Sequence, residues 1–409
     1  MNKFIQKLKS TPFTAIATLA LAFFLVFSGC DRTLDELDSQ VKKQGQGSDK
    51  QLADESEGLK DFELVNLVAN TDNDEYDAKR VEPKLQNAWG IAFSAGGVPW
   101  VNATNTGLSF IFNSEGEELR DPVDVPSPTK STGGLPTGIV FNGTTDFKLP
   151  NGDPARFIFC GLDGLISGWN QGGSVEVIDR SKSNGYKGAV YTGIGKAVAG
   201  GKNYLYAANF SINKIDIFDA AFKQGKTRNF KDPDLPKGYA PFNIRNLGNK
   251  LYVLYAKVGE DGRAEKGKGK GYVSVYEPNG TLIKRFASGG TLNAPWGIAR
   301  VPKGFFDDDP EYSNLKDAIL IGNFGDGYIN VYTADGTYVG QLMDDDKKVI
   351  SIDGLWEISF PPRTAAANVD LTRLYYAAGP DNEANGVFGY ITRKKSNDDD
   401  DDDDKVAKR

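Results

Sequence analysis

The chain has 409 residues, with 47 glycines, 11% aromatic and 25% charged side chains and a formal net charge of −7. Many glycines beside many aromatics point to short strands joined by tight turns, not to long helices. Histidine is absent, which excludes Ser-His-Asp and Cys-His catalysis, histidine-ligated zinc or iron, and axial-histidine haem.

Residues 1–29 read as an address. Lys3, Lys7 and Lys9 form a basic start, Ala15 to Phe27 is an apolar run broken by Thr18, and Phe27-Ser28-Gly29-Cys30 follows. An apolar run too short to span comfortably, ending in small residues, is a signal-peptide pattern. Cysteine directly after Ser-Gly resembles a bacterial lipobox, in which the thiol is acylated and becomes the mature N-terminus; the alternatives are a plain secretory signal with an incidental cysteine and an uncleaved anchor. Lipidation at Cys30 predicts anchoring in a bacterial cell envelope, periplasmic or at the surface, because two or three acyl chains hold durably. Cleavage removes three lysines and leaves 45 basic against 55 acidic side chains, net −10. A surface of that sign disfavours nucleic acid as a partner. Cys160 is then the single cysteine left, so no intrachain disulfide forms; its expected place is inside a buried strand. Residues 30–61 are polar and charged and read as a flexible tether. At the other end, residues 393–409 contain seven aspartates, Asp398 to Asp404, and read as a disordered, solvated tail.

Between these ends one pattern recurs six times. The copies begin at Ala88-Trp89-Gly90-Ile91, Pro136-Thr137-Gly138-Ile139, a worn Lys196-Ala197-Val198, Pro241-Phe242-Asn243-Ile244, Pro295-Trp296-Gly297-Ile298 and Leu355-Trp356-Glu357-Ile358. Each continues through short apolar segments such as Leu205-Tyr206-Ala207-Ala208-Asn209-Phe210 and Ile319-Leu320-Ile321-Gly322-Asn323-Phe324. A spacing of about 53 residues, strand-length apolar runs and hairpin turns at Asn279-Gly280 and Asp335-Gly336 predict propeller blades of four strands. The sixth unit has three strands before the charged tail, and Phe62–Ala69 is a strand-like segment with no hairpin partner. Pairing 62–69 with 387–392 completes the last blade and closes the ring, which removes exposed edges. The expected fold is all-β: a six-bladed β-propeller over 62–392 whose last blade is closed by an N-terminal strand, acting as a monomer.

Over about residues 62–391, stretches such as Leu85-Gln86-Asn87-Ala88-Trp89-Gly90-Ile91-Ala92, Gly238-Tyr239-Ala240-Pro241-Phe242-Asn243-Ile244, Gly322-Asn323-Phe324-Gly325-Asp326-Gly327 and Ile352-Asp353-Gly354-Leu355-Trp356 recur in order. In these the chain resembles an uncharacterised bacterial family of exported six-bladed propellers related to the NHL-repeat group, some members of which end in a PEP-type sorting signal. The resemblance implies the fold and export, and no activity. The termini depart from it: this chain has a lipobox-like segment, no C-terminal sorting helix and an aspartate tail.

In a propeller the loops after the second strand, and those entering the first, share the face around the axis. Those loops carry Asn102, Asp163, Asn209, Asn323, Asp326 and Asp353, with Asn243 beside them. Carboxylates and amide carbonyls converging at a channel mouth are the ligand set of calcium, and the same residue types are ordinary occupants of tight turns. The strongest member is Asp353, expected to line the axial cavity with Asn209 and Asn323. The reading is a binding or interaction module for an unknown small-molecule or protein ligand. The alternative is a divalent-metal-dependent hydrolase of the lactonase type, since some lactonase propellers similar to this group do without an obligatory histidine. Whether any reaction is catalysed stays open at this point.

Overall fold

The computed structural model describes residues 59–394 except 73–75, 183–187, 226–229 and 307–314. The expected signal peptide with Cys30, all but the last three residues of the expected tether, and the aspartate run lie outside these residues.

Six radial sheets surround one axis. The first four-stranded sheet runs Ala88–Phe93, Pro99–Ala103, Leu108–Phe112 and Glu118–Asp124; the second starts at Pro136–Phe141, the fourth at Tyr239–Leu247 and the fifth at Pro295–Arg300. The third sheet has three strands among the described residues, Tyr191–Ala199, Lys202–Asn209 and Lys214–Asp219, where four were expected. The sixth is Leu355–Ser359, Leu374–Ala378 and Val387–Arg393, completed by Phe62–Ala69. That closing strand pairs antiparallel from Phe62 opposite Arg393 to Ala69 opposite Val387, with a bulge between Asn66 and Val68. The two-residue strand Arg80–Val81 then adds in parallel outside it. Ordered packing begins earlier than residue 62: Leu59 is fully buried and its carbonyl accepts the Met343 amide at 2.7 Å. Among the described residues no helix is long and apolar enough to cross a membrane.

The ring is held by the seams between blades. Each seam has its own apolar cluster, and a seventh sits on the axis. Fully buried aromatics such as Phe62, Phe110, Tyr276 and Tyr376 each contribute about 1.5–3 kcal/mol by leaving water. The Trp-Gly starts have a steric cause. A Cβ on Gly90 would stand 2.3 Å from the Thr137 carbonyl of the next blade, and one on Gly297 would stand 2.7 Å from the Trp356 carbonyl. Glycine is therefore what lets neighbouring inner strands touch. The same position in the third blade is Thr192-Gly193-Ile194 at the start of Tyr191–Ala199, so the third anchor is residue 192, not the Lys196-Ala197-Val198 region. That region lies further along the same strand.

Cys160 is buried in the strand Phe157–Gly161. Burial pushes its thiol pKa up to about 12, partly offset by a contact with Thr137.

Candidate functional site

Inner strands entering a ring bring their first residues together at one end of the axis. Trp89, Phe242, Trp296 and Trp356 meet there, joined by Phe210 and Phe324, each of which directly follows an Asn at the end of a second strand. Trp89 stacks on Trp356 with centroids 3.4 Å apart, and Trp356 stacks on Phe324 at 3.8 Å. Trp296 meets both Trp89 and Trp356 edge-on at 6.1 Å. The two edge-on pairs have the arrangement that aromatic quadrupoles favour, whereas the two close stacks lie nearly face to face and are held by burial and dispersion. Two of the three tryptophans are also tethered: Trp356 Nε1 donates to Asn87 Oδ1 and Trp296 Nε1 to the Thr192 carbonyl, both at 2.9 Å, while Trp89 Nε1 has no partner among the described residues.

Above this floor lies a cavity of about 800 Å³, a size suited to a small ligand. All six blades line it. Its apolar walls include Trp89, Leu135, Leu162, Phe210, Phe242, Phe324 and Trp356; its polar rim is Asn87, Thr104, Asn105, Thr192, Asp261, Arg263, Lys266, Asn382 and Glu383.

Glu383 is placed by an uncommon backbone. Asp381, Asn382 and Glu383 have φ of +56°, +55° and +71°, and non-glycine residues in this region cost about 1–3 kcal/mol each. The turn is held from several sides. Asp353 accepts the Asp381 amide at 2.9 Å, Asp381 accepts the Tyr76 hydroxyl at 2.5 Å, and Asn105 donates to the Glu383 carbonyl at 2.7 Å. Hydrogen bonds from Tyr76 and Asn385 hold the Asp381 carboxyl below its ordinary pKa. The Glu383 carboxylate bonds Arg263 from the fourth blade and receives Asn87 Nδ2 at 3.4 Å.

A second charged feature lies deeper. Glu357, in the sixth inner strand, is fully buried and pairs with Arg245 of the fourth blade at 3.1 Å. Burial raises its pKa to about 7, with Arg245 opposing the rise. Arg245 and Lys196 line a smaller opening of about 250 Å³, where desolvation lowers the Lys196 pKa.

None of the six asparagines and aspartates singled out from sequence lines the large cavity. Asn102 Nδ2 donates to the Thr137 carbonyl of the next blade at 2.9 Å. Asn209 accepts from the Val190 amide and donates to Asp216. Asn323 does the equivalent work in the fifth blade, accepting from the Asn293 amide and donating to the Thr291 carbonyl and to Asp326. Asp163 accepts from the amides of Leu135 and Leu165, and burial raises its pKa. Asp326 caps the Tyr328 amide. Asp353 is exposed and caps the Asp381 turn. Asn323 and Asp326 are thus brought together; Asp353 bonds within its own blade rather than with Asn209 and Asn323. Among the described residues no group of three or more Cys, Asp or Glu is arranged to hold a metal ion. The tryptophan starts Trp89, Trp296 and Trp356 are expected from sequence as inter-blade packing, with sugar stacking as the alternative; the residues that sequence reasoning missed are Phe210, Phe324, Glu383, Arg263 and Glu357. The repeated Asn-Phe pairs and an acid inside an inner strand were the available signals.

The architecture is that of a six-bladed β-propeller. No protein-family profile matches the chain. An uncharacterized protein of Acanthamoeba polyphaga mimivirus is 30% identical over 341 residues, 81% of this chain and 80% of that protein, and the chain belongs to its family. A second mimivirus protein, also uncharacterized, is 29% identical over 77% of this chain and 82% of its own length. These relatives are viral and carry no support for a bacterial assignment or a sorting signal. Among solved structures, a streptogramin B lyase aligns with TM-score 0.46 and 14% identity over 81% of this chain and 97% of its own. A gluconolactonase from Xanthomonas campestris aligns with TM-score 0.44 and 13% identity over 75% and 87%.

Proposed function

We propose that the chain is a ligand-binding propeller, anchored to a cell envelope through Cys30, whose axial cavity takes one small organic ligand against its aromatic wall. The carrying observation is the cavity of about 800 Å³ with side chains from six blades converging on it. A wall of stacked, tethered aromatics is preorganised, so little ordering free energy is lost when a ligand arrives. The polar rim supplies direction and selectivity. A metal-dependent hydrolase needs converging ligand oxygens, and the candidate oxygens are already engaged in turns and strand entries.

Trp89 and Trp356 make the site its own reporter. Intrinsic fluorescence of the purified chain, screened against planar and cyclic organic compounds, is expected to respond to a subset. Phe324→Ala should weaken those compounds while preserving the melting cooperativity. Responses that are unchanged in Phe324→Ala and in Phe210→Ala would place binding elsewhere and refute the reading.

A further inference from the structure

The loop between Lys257 and Gly271 of the fourth blade reaches across the cavity mouth. Its base is pinned by Glu265, which pairs with both Lys257 and Lys270. Its tip places two cations on two other blades: Arg263 on the Glu383 carboxylate of the sixth, and Lys266 on the Phe324 ring of the fifth. The Lys266 ammonium lies 4.2 Å from that ring's centroid. Trp356 already covers one face of Phe324 at 3.8 Å, so the ammonium sits on the opposite face and ends the column Trp89–Trp356–Phe324. A cation over the electron-rich face of an aromatic ring is electrostatically favoured.

Wall and strap have opposite characters. The Glu383 side chain is 16% exposed and fixed by its left-handed turn, whereas Arg263 is 66% exposed. The rigid side of the cavity therefore offers a carboxylate and an aromatic face. The exposed side offers the two cations that fill them.

We propose that the axial cavity recognises organic cations, ammonium compounds with an apolar body, and that Arg263 and Lys266 are built-in competitors which an arriving cation displaces from Glu383 and Phe324. This rests on the cavity being a ligand site and adds the charge of the ligand. Arriving cations exchange one cation–carboxylate contact and one cation–ring contact for equivalents, so their affinity is moderated by the strap. Removing the strap's charges should raise it.

The test uses three probes of one shape: choline, its uncharged carbon analogue 3,3-dimethylbutan-1-ol, and the anion 3,3-dimethylbutanoate. Each is titrated calorimetrically into the full chain and into the double variant Arg263→Gln with Lys266→Gln. Choline is expected to bind in preference to the other two and to tighten about threefold to thirtyfold in the double variant, the range of a cation–π contact released from competition. Adding Glu383→Gln should lower that gain by removing the carboxylate contact and leaving the freed Phe324 face, and no change on adding it would exclude the carboxylate from recognition, with thermal melting checking that each variant is folded. Equal binding of the alcohol and choline overturns the charge preference. Binding of the carboxylate, lost in the double variant, overturns it in the opposite sense, because the strap would then be the ligand's partner. Silence of choline in folded wild-type and double-variant protein also overturns it. In each of these cases the cavity reading fails separately, only if the fluorescence screen is insensitive to Phe324→Ala and Phe210→Ala.

Discussion

Replacing Glu357 with glutamine isolates the energetic effect of a carboxyl on the propeller axis. Glu357 is fully buried against Arg245, and its pKa rises from 4.5 to about 7 because burial disfavours the charge more than Arg245 favours it. A carboxyl that keeps its proton longer in the native state makes stability fall as pH rises between the two values. At about 1.4 kcal/mol per pH unit, the gap is worth about 3 kcal/mol. Glutamine keeps the shape of the protonated acid and does not ionise. Glu357→Gln and wild type should therefore be nearly equal at pH 4.5, and the variant about 3 kcal/mol more stable at pH 8. With an unfolding entropy of about 2.1 cal/mol/K per residue over roughly 330 residues, this corresponds to a Tm gain of about 4 °C. Calorimetric melts of both proteins at pH 4.5, 6, 7 and 8 read the difference directly, and contributions from other titrating groups cancel. A variant less stable than wild type at pH 8 would refute the reasoning, because it would mean that the Arg245 pair outweighs the desolvation of its carboxylate.

Phe62→Ala, which empties the contact of the closing strand with Phe305 and Phe306, should cost about 3–5 kcal/mol in denaturant unfolding; a loss below about 1 kcal/mol would mean that the strand does not secure the ring. In a Cys30→Ala chain, the Cys160 thiol, buried and with its pKa near 12, should resist Ellman's reagent at pH 8 and react after guanidinium unfolding; immediate reaction in the native protein would contradict its burial. Cys30→Ala should move the expressed chain from the detergent phase to the aqueous phase of a Triton X-114 partition, and identical partitioning of both forms would dismiss the lipid anchor.

The blade spacing and the closing strand were legible because they rest on local signals: apolar runs of strand length, turn residues, and a segment left without a hairpin partner. The third anchor slipped because Tyr191–Ala199 is nine residues long, so its apolar C-terminal part could pass for a strand start. The candidate site was less legible. Asn209 and Asn323 were identifiable as residue types, but which way an amide turns depends on the backbone donors opposite it, and here these are the entry amides of Val190 and Asn293. Glu383 depends on three consecutive left-handed residues, a conformation that side-chain identity does not announce. Trp89, Phe242, Trp296 and Trp356 stand in the strand starts of the repeat, and their second use as a cavity floor follows from six inner strands converging on one axis.

The bond between the first and last strands also sets a clock. Phe62 lies opposite Arg393, so the sixth blade joins segments roughly 330 positions apart. At a synthesis rate of about 5–20 residues per second, about 15–65 s pass between the emergence of the two partners. Throughout that interval the segment 62–69 presents unpaired amides and carbonyls together with the side chains of Phe62, Leu67 and Val68, a template for pairing with another nascent chain. The blades between can form in order, but the ring cannot close until the last strand is released, so the vulnerable period is set by translation and not by the speed of any blade.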